Sequence, residues 1–165
     1  MLAWLADKDP DVRHAIAQCL NWDSSVPVLA WITSREDCDA ATAASIVWLG
    51  EPQYYADARR SGRALVPSEE WDLLQAVLRR FRAGVYVRSE LAPFPGLEHL
   101  PARYRAWQQD LPDPLDLPDA LFEPPRGRPP RLPPDCDPRQ SALVWDLLAA
   151  LGSYMGRRPT PSSAH

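Results

Sequence analysis

Residues 19–48 alternate apolar helical segments with short polar turns, and this pattern constrains the fold more than any other feature of the chain. The stretch holds three of the seven Trp residues and two of the three Cys residues. Its last apolar segment, residues 40–48, is small at one end and bulky at the other, which permits close approach of neighbouring helices. We therefore predict that residues 19–48 form the structural centre of an all-α domain.

N-cap residues mark where the helices begin. Asp9 precedes Pro10, Asp39 precedes the alanine-rich segment, and Ser68 precedes the segment with the clearest helical periodicity, which ends before Gly84. Asp and Ser side chains accept hydrogen bonds from the first turn of a helix, and Pro is tolerated there. Further helices are expected at residues 2–5 and 100–110, and the assignment of residues 53–66 stays ambiguous. Val85-Tyr86-Val87 fits a strand, a single helical turn or an extended connector equally well.

Proline is concentrated late in the chain, where 13 of the 19 Pro residues lie between residues 93 and 138. An interior Pro removes a backbone donor and clashes with the preceding turn, so regular helix is excluded through most of residues 111–138. Leucines interleaved with these prolines indicate an extended strap on the core, and residues 123–134 are the part expected to be mobile. An apolar stripe then predicts a C-terminal helix over residues 138–155. We expect one domain over residues 1–156 and a disordered tail over residues 157–165.

Charge is distributed unevenly along the chain, whose formal net charge is -4. Residues 1–58 carry nine acidic and three basic side chains, a balance of -6, whereas residues 59–107 carry five acidic and nine basic side chains, a balance of +4. An acidic front half argues against nucleic-acid binding and suits a basic partner surface. The alternative is an ordinary solvated acidic surface.

The three Cys residues show no C-x-x-C spacing, which excludes a sequence-readable disulfide framework or zinc site and favours a reducing compartment. The N-terminus lacks the basic region of a signal peptide, and no stretch approaches the roughly 20 apolar residues of a membrane span. We expect a soluble, cytoplasmic protein that binds no membrane.

Catalytic patterns are missing from the sequence. A catalytic Cys would need a His partner, and His14 lies five residues before Cys19, which is not an interval that places two side chains on one helix face. The scattered His and Cys residues give no metal-ligand pair, and the stretch Asp7-Lys8-Asp9-Pro10-Asp11 is interpreted as a polar turn with helix caps. We predict a non-enzymatic protein with no metal and no cofactor.

Trp22, Trp31 and Trp48 could form a recognition surface, since Trp dominates binding hot spots. Trp31 and Trp48 stand at helical spacing within apolar segments, so a core position is favoured for both. Trp22 stands among polar residues, and both interpretations stay open for it.

The pattern Leu5-x-Asp7-x-Asp9-Pro10-x-Val12-Arg13-x-Ala15-x-Ala17 is similar to the turn and second helix of a HEAT repeat. One clear copy is visible, so this similarity predicts a compact HEAT-like helical bundle rather than a solenoid array.

A second resemblance rests on Asn21-Trp22-Asp23, Val28-Leu29-x-Trp31-Ile32, Cys38-Asp39, Ala41-Thr42-Ala43 and Ile46-x-Trp48. Together these segments closely resemble a bacterial family known only as a domain of unknown function. Trp71-Asp72-Leu73 and Arg79-Arg80-Phe81-x-Ala83-Gly84 look like its second block, so the resemblance covers residues 11–84. It implies a small helical protein without known activity. Some members look like immunity proteins encoded beside toxins delivered by type VI secretion.

Two functional hypotheses follow. The first is an immunity protein that covers the basic active-site cleft of a cognate toxin, expected to be a nuclease, with an acidic face at the turns between the first three helices. The predicted partner-binding residues are Asp7, Asp9, Asp11, Asp23, Glu36, Asp37 and Asp39, with Trp22 as a further candidate. The alternative is a HEAT-like adaptor or chaperone that binds a helix or extended peptide of a partner in a groove, with exposed aromatic side chains at Trp22, Tyr54 and Tyr55. The oligomeric state is left open.

Overall fold

The computed structural model describes residues 2–22, 24–61, 68–109, 115–123 and 127–137, with the backbone alone for residues 59 and 60. Within these ranges the chain forms seven α-helices and one 3-10 turn, and its β-structure is limited to a single isolated bridge. The all-α prediction is confirmed. The predicted C-terminal helix and tail lie outside the described residues.

The helices are α1 (Leu2–Ala6), α2 (Pro10–Cys19), α3 (Val26–Ser34), α4 (Ala40–Leu49), α5 (Pro52–Arg60), α6 (Glu69–Arg82) and α7 (Leu100–Gln108), followed by the 3-10 turn Asp119–Leu121. The ambiguous segment therefore begins with α5, and residues 85–87 form an extended connector. The longest of the described helices, α6, has 14 residues, and none of them combines the length and apolarity needed to cross a membrane.

The three predicted N-caps are confirmed by short-range hydrogen bonds. The Asp9 carboxylate accepts from the Val12 N–H at 3.0 Å, and the Asp39 carboxylate accepts from a backbone N–H in the first turn of α4. The Ser68 hydroxyl oxygen accepts from the Trp71 N–H at 3.2 Å. Each bond satisfies a donor that the first turn of a helix leaves without an internal partner.

The core is built by α2, α3, α4 and α6, which pack against one another. Residues 41–48 of α4 are all buried, as expected for a helix enclosed by its neighbours. Ile46 of α4 and Leu74 of α6 are fully buried, and burial of each such side chain contributes about 1.5–3 kcal/mol. Trp48 is also buried, whereas Trp31 is half-buried against the same core. The core position predicted for Trp48 is confirmed.

The Pro-rich strap lies on this core through Leu115, Leu117 and Leu121, which are all buried. Farther along, Arg128 forms an isolated parallel bridge with Leu91. Gly127 makes this bridge possible, because a Cβ atom at that position would lie 2.1 Å from the Leu91 backbone. The chain around Arg128 is therefore fastened to the core, and residues 124–126 of the segment expected to be mobile lie outside the described residues.

Candidate functional site

Charged side chains gather where the N-terminal ends of α2 and α4 lie side by side. Asp11 stands in the first turn of α2, and Asp39 caps α4. Arg88 faces both carboxylates, with Nη2 at 3.9 Å from Asp11 Oδ1 and Nε at 3.8 Å from Asp39 Oδ2. One turn further along, His14 Nδ1 and Thr42 Oγ1 are 2.8 Å apart and join the two helices. Carboxylates are favourable at this end, because helix N-termini carry partial positive charge.

Asp11 is only 5% exposed, and its carboxylate is fully engaged within the protein. The Arg128 guanidinium donates to both oxygens, at 2.5 Å and 3.1 Å, and the Arg131 N–H donates at 2.6 Å. Burial alone would raise the pKa of Asp11, but the hydrogen bonds from Arg128 and Arg131 outweigh it and lower that pKa. Asp11 is therefore an ionised carboxylate with its acceptor positions occupied.

Asp39 is 1% exposed and accepts three backbone hydrogen bonds. The Ala41 N–H donates to Oδ1 at 2.9 Å, while the Glu90 and Leu91 N–H groups donate to Oδ2 at 2.7 Å and 3.2 Å. The Glu90 carboxylate in turn lies 3.0 Å from Arg88. We call Asp11, Asp39, Arg88, Glu90 and Arg128 the arginine–carboxylate cluster. It ties α2 and α4 to the connector after α6 and to the strap.

The structure corrects the predicted placement of Asp11 and Asp39 on an exposed face. Both carboxylates are buried because their hydrogen-bond donors come from residues 88–91 and 128–131, far away in sequence. Arg88, Arg128 and Glu90 were missed by the sequence reasoning. For Arg88, the opposite charge balance of residues 1–58 and 59–107 is a signal that allows pairing within the molecule, whereas Arg128 lies outside both ranges and no charge pattern indicates it.

Four of the predicted acidic residues are exposed: Asp7, Asp9, Glu36 and Asp37. The buried guanidinium of Arg13, one turn into α2, binds Asp37 at 2.5 Å. This ion pair connects the turn between α3 and α4 to α2. We call these four residues the acidic surface. Asp23 lies outside the described residues.

Asp135 is a further exposed carboxylate, which the sequence did not indicate. Its neighbour Cys136 is buried, and burial raises the pKa of that thiol, which the charges of Lys8 and Asp9 also influence. These influences place residues 135–136 beside the turn that carries Asp7 and Asp9. Asp135 itself is exposed. Residues 135–136 are separated from Lys8 and Asp9 by most of the chain, so short-range sequence patterns do not reveal a relationship between them.

Burial shifts the pKa values of two titratable groups near the cluster. Burial lowers the pKa of His14 to about 4, although Asp39 and Asp11 oppose that change, so the ring is neutral at neutral pH. Burial also raises the pKa of the Cys38 thiol to about 12, which keeps the nucleophilic thiolate from forming. Within the described ranges, no group of three or more His, Cys, Asp or Glu side chains is arranged to hold a metal ion.

The aromatic residues of the alternative hypothesis do not share one environment. Trp22 is half-buried and lies against Gly50, where a Cβ atom would come within 2.6 Å of the indole ring. Tyr55 is 9% exposed and packs on Trp71 with ring centroids 4.7 Å apart. Tyr54 is 54% exposed. Of the three, Tyr54 offers a largely accessible ring.

Residues 8–82 match a family described as a domain of unknown function (DUF4274). This range agrees closely with residues 11–84, over which the sequence resembles such a family, and confirms that part of the resemblance. The matched range contains Asp11 and Asp39 and ends before Arg88 and Arg128. No curated protein and no solved structure matches the chain.

Proposed function

We propose that this protein is a non-enzymatic immunity protein that binds a cognate antibacterial toxin and occludes its active site with the acidic surface. The exposed carboxylates of Asp7, Asp9, Glu36 and Asp37, in the turns that precede α2 and α4, are the observation that carries the proposal. A nuclease delivered by type VI secretion is the toxin class that fits best. A nuclease cleft is basic because it holds the phosphate backbone, and an acidic surface is complementary to it.

The Arg13–Asp37 ion pair makes part of this surface rigid before any partner arrives. The Arg13 side chain is 4% exposed, whereas the Asp37 side chain is 46% exposed and keeps access to solvent. A carboxylate fixed in this way loses little conformational freedom on binding, which lowers the entropic cost of association. Carboxylates of this kind accelerate encounter with a basic partner and make the association rate dependent on salt.

The adaptor or chaperone alternative is less well supported. It needs a contiguous exposed aromatic patch, but Tyr55 is buried and Trp22 lies against Gly50. Tyr54 by itself offers a small area compared with the surface that a stable partner interface buries. We further propose that the fold is a HEAT-like bundle and that the protein is cytoplasmic, as we expect for an immunity protein.

The first experiment identifies the partner by function. Each gene adjacent to that of this protein is expressed in a heterologous bacterium, alone and together with this chain. A toxin supports the proposal when it stops growth alone, when co-expression restores growth, and when the two purified proteins form a complex. If no neighbouring product is toxic, full-length protein is used to capture partners from the native host, and each captured protein passes through the same toxicity test.

The second experiment tests the surface with charge reversals. Asp7→Arg combined with Glu36→Arg is expected to slow association with the toxin by about tenfold or more at low salt, and less at high salt. Both residues are exposed, so the fold should tolerate the changes. Asp37→Arg is avoided because it would leave the buried Arg13 facing a second guanidinium. Asp72→Arg combined with Glu98→Arg reverses two exposed carboxylates elsewhere and serves as the matched control.

An unchanged association rate in the Asp7→Arg, Glu36→Arg variant would contradict docking through the acidic surface. An equal decrease of the association rate in the Asp72→Arg, Glu98→Arg control would show that the net charge of the protein explains the effect. That result would also contradict a specific docking surface.

A further inference from the structure

Residues 87–90 lead from α6 to the bridge with the strap, and one side of this extended segment is attached to the protein. The Arg88 C=O accepts from the Ala40 N–H at 2.7 Å. The Glu90 N–H donates to the Asp39 carboxylate at 2.7 Å, and the Glu90 C=O accepts from a backbone N–H of the strap at 2.9 Å. Every second residue of the segment therefore directs its backbone groups toward the protein.

Val87 and Ser89 direct their backbone groups to the other side, because consecutive residues of an extended chain face opposite ways. Both residues are exposed. The Val87 N–H donates to the Val85 C=O at 3.0 Å, but within the described ranges no hydrogen bond reaches the Val87 C=O, the Ser89 N–H or the Ser89 C=O. The outer side of residues 87–89 is therefore an open edge, of the kind that pairs with another extended chain.

The Val87 side chain makes this edge apolar. Its exposed fraction is 83%, the highest among the large hydrophobic side chains of the described residues. Proteins commonly protect an exposed edge with proline or charged side chains, but the outer positions of this edge hold a valine and a serine. Burial of the valine against a neighbouring chain would add favourable free energy to the pairing.

A cavity of about 290 Å³ borders the same edge. Phe81 and Tyr86 form its aromatic walls, with ring centroids 4.7 Å apart, and Ala40 and Ala44 contribute small side chains from α4. Ser89 also lines this cavity. An apolar side chain on a strand paired opposite Ser89 would therefore lie beside an apolar recess.

We propose that this edge binds the same edge of a second copy of the chain, so that the protein forms a symmetric dimer. The two segments run antiparallel about a two-fold axis at Arg88. The Ser89 N–H of each copy donates to the Val87 C=O of the other copy, and each valine packs beside the cavity of the other copy. One short segment thus supplies the donor, the acceptor and the apolar side chain, which is the self-complementarity that a two-fold interface requires.

The hydrogen bonds within one copy fit this register. In an antiparallel pair, a residue between two hydrogen-bonded positions directs its backbone groups away from the neighbouring strand. Arg88 would stand opposite itself at such a position, and its C=O is directed toward Ala40. The pairing therefore breaks none of the hydrogen bonds that attach the segment to the protein.

The charges near the axis permit the two copies to approach. Two arginines directly opposite each other would be destabilising if their charges were uncompensated. Arg88 lies within 3.9 Å of the carboxylates of Asp11, Asp39 and Glu90, which compensate its charge inside each copy. None of the four residues of the acidic surface is used, so the dimer does not depend on the proposed function.

Sedimentation equilibrium of the full-length protein tests the proposal. Between about 10 µM and 1 mM we expect a monomer–dimer equilibrium with a Kd of about 0.1 mM, because a short edge pairing buries less area than a standard interface. NMR of ¹⁵N-labelled protein adds a local measurement. The Ser89 amide signal should shift downfield and its exchange with solvent should slow as the protein concentration rises.

Ser89→Pro removes the donor N–H and should weaken the dimer by about fivefold or more. Proline fits this position because the residue before it is extended. Ser89→Ala is the matched control, since it removes the hydroxyl but keeps the N–H, and it should dimerise like the unmodified protein.

Val87→Asp replaces the apolar contact by a carboxylate in each copy and should weaken the dimer by about tenfold or more, which provides a second variant if Ser89→Pro fails to fold. Leu2→Asp makes the same kind of change at a leucine that is 39% exposed. Leu2 is the first residue of α1, where a carboxylate is favourable, so this control should leave dimerisation unchanged.

The proposal is overturned if the protein stays monomeric up to the highest concentration. It is also overturned if folded Ser89→Pro and Val87→Asp proteins dimerise normally, or if Ser89→Ala or Leu2→Asp weakens the dimer as much as they do. A Ser89 amide that is protected only when a different protein is added would assign the edge to that protein and contradict the dimer.

Discussion

Arg128 donates two hydrogen bonds to the carboxylate of Asp11, a residue 117 positions earlier in the chain. Asp11 belongs to the range that matches the domain of unknown function, whereas Arg128 belongs to the Pro-rich strap outside it. A buried carboxylate without a positive partner is strongly destabilising. The strap is therefore part of what stabilises the matched helices.

We predict that Asp11→Asn lowers the free energy of unfolding by about 1–3 kcal/mol, because it removes a charged acceptor and leaves its donors unsatisfied. Urea denaturation at pH 7 measures the change. Asp7→Asn, at an exposed position of the same turn, should alter stability by less than about 0.5 kcal/mol. Equal effects for the two variants would contradict a special role for Asp11.

Acidification tests the contribution of the Asp11 carboxylate to stability, because it protonates that group. The pKa of Asp11 is lower in the folded protein than its ordinary value of 3.8, so its stabilising effect is present above pH 3.8 and is lost as the pH falls below it. Asp11→Asn should therefore show a shallower loss of stability below about pH 4 than the unmodified protein. Parallel pH profiles of stability for the two proteins would refute this.

His14 should make stability sensitive to a higher range of pH. In the unfolded chain its pKa is the ordinary 6.5, whereas in the folded protein burial lowers it to about 4. Between these values the unfolded state binds more protons, so stability falls as the pH falls, by about 2–3 kcal/mol from pH 7.5 to 4.5. His14→Asn keeps a polar atom near Thr42 and should show less of this decrease. Denaturant titrations at several pH values make the comparison, and an unchanged slope in His14→Asn would exclude His14 as the cause.

Gly50 and Trp22 should show strong energetic coupling. Gly50 has ordinary backbone angles, φ -74 and ψ 6, so an alanine there would suffer no backbone strain. Its Cβ atom would nevertheless lie 2.6 Å from the Trp22 ring, so Gly50→Ala should destabilise the protein by about 1–3 kcal/mol. In a Trp22→Ala background the same change should be neutral or stabilising. A double-mutant cycle in urea measures the difference, and additive effects would contradict the close contact.

Gly127→Ala should detach the strap locally. The new Cβ atom would lie 2.1 Å from the Leu91 backbone, which has little freedom to move away. The Arg128 and Ala92 amides, which donate hydrogen bonds across the bridge, should then exchange with solvent deuterium faster. Gly96→Ala is the control. Its φ of +85 strains an alanine backbone, but no atom lies within 4 Å of the added Cβ, so this change destabilises the protein without a steric clash. Accelerated exchange of the bridge amides in that control would show that general destabilisation is sufficient.

Local features of the fold could be predicted from sequence because their causes are local. Asp9, Asp39 and Ser68 were predicted as N-caps, since each accepts a hydrogen bond from a residue two or three positions later. The same reasoning placed Asp39 on an exposed turn. Its other donors, Glu90 and Leu91, lie about 50 positions away, and short-range patterns carry no information about them.

In the candidate site, too, features with local causes could be predicted from sequence and features with long-range causes could not. Asp7 and Glu36 lie in turns and are exposed as expected, because turns run over the surface. The contact between the rings of Trp48 and Tyr104 could not be foreseen, because they meet only when α7 packs over the end of α4.

The separation of 117 positions between Asp11 and Arg128 has a consequence for synthesis of the protein in the cell. At roughly 5–20 residues per second, the ribosome needs on the order of ten seconds to add Arg128 after Asp11. During that interval Arg128 is not yet part of the chain, so it cannot donate hydrogen bonds to the Asp11 carboxylate. A chain that ends before residue 128 would therefore lack both hydrogen bonds from Arg128 to Asp11, and Arg88, 3.9 Å away, would be the cation left beside that carboxylate.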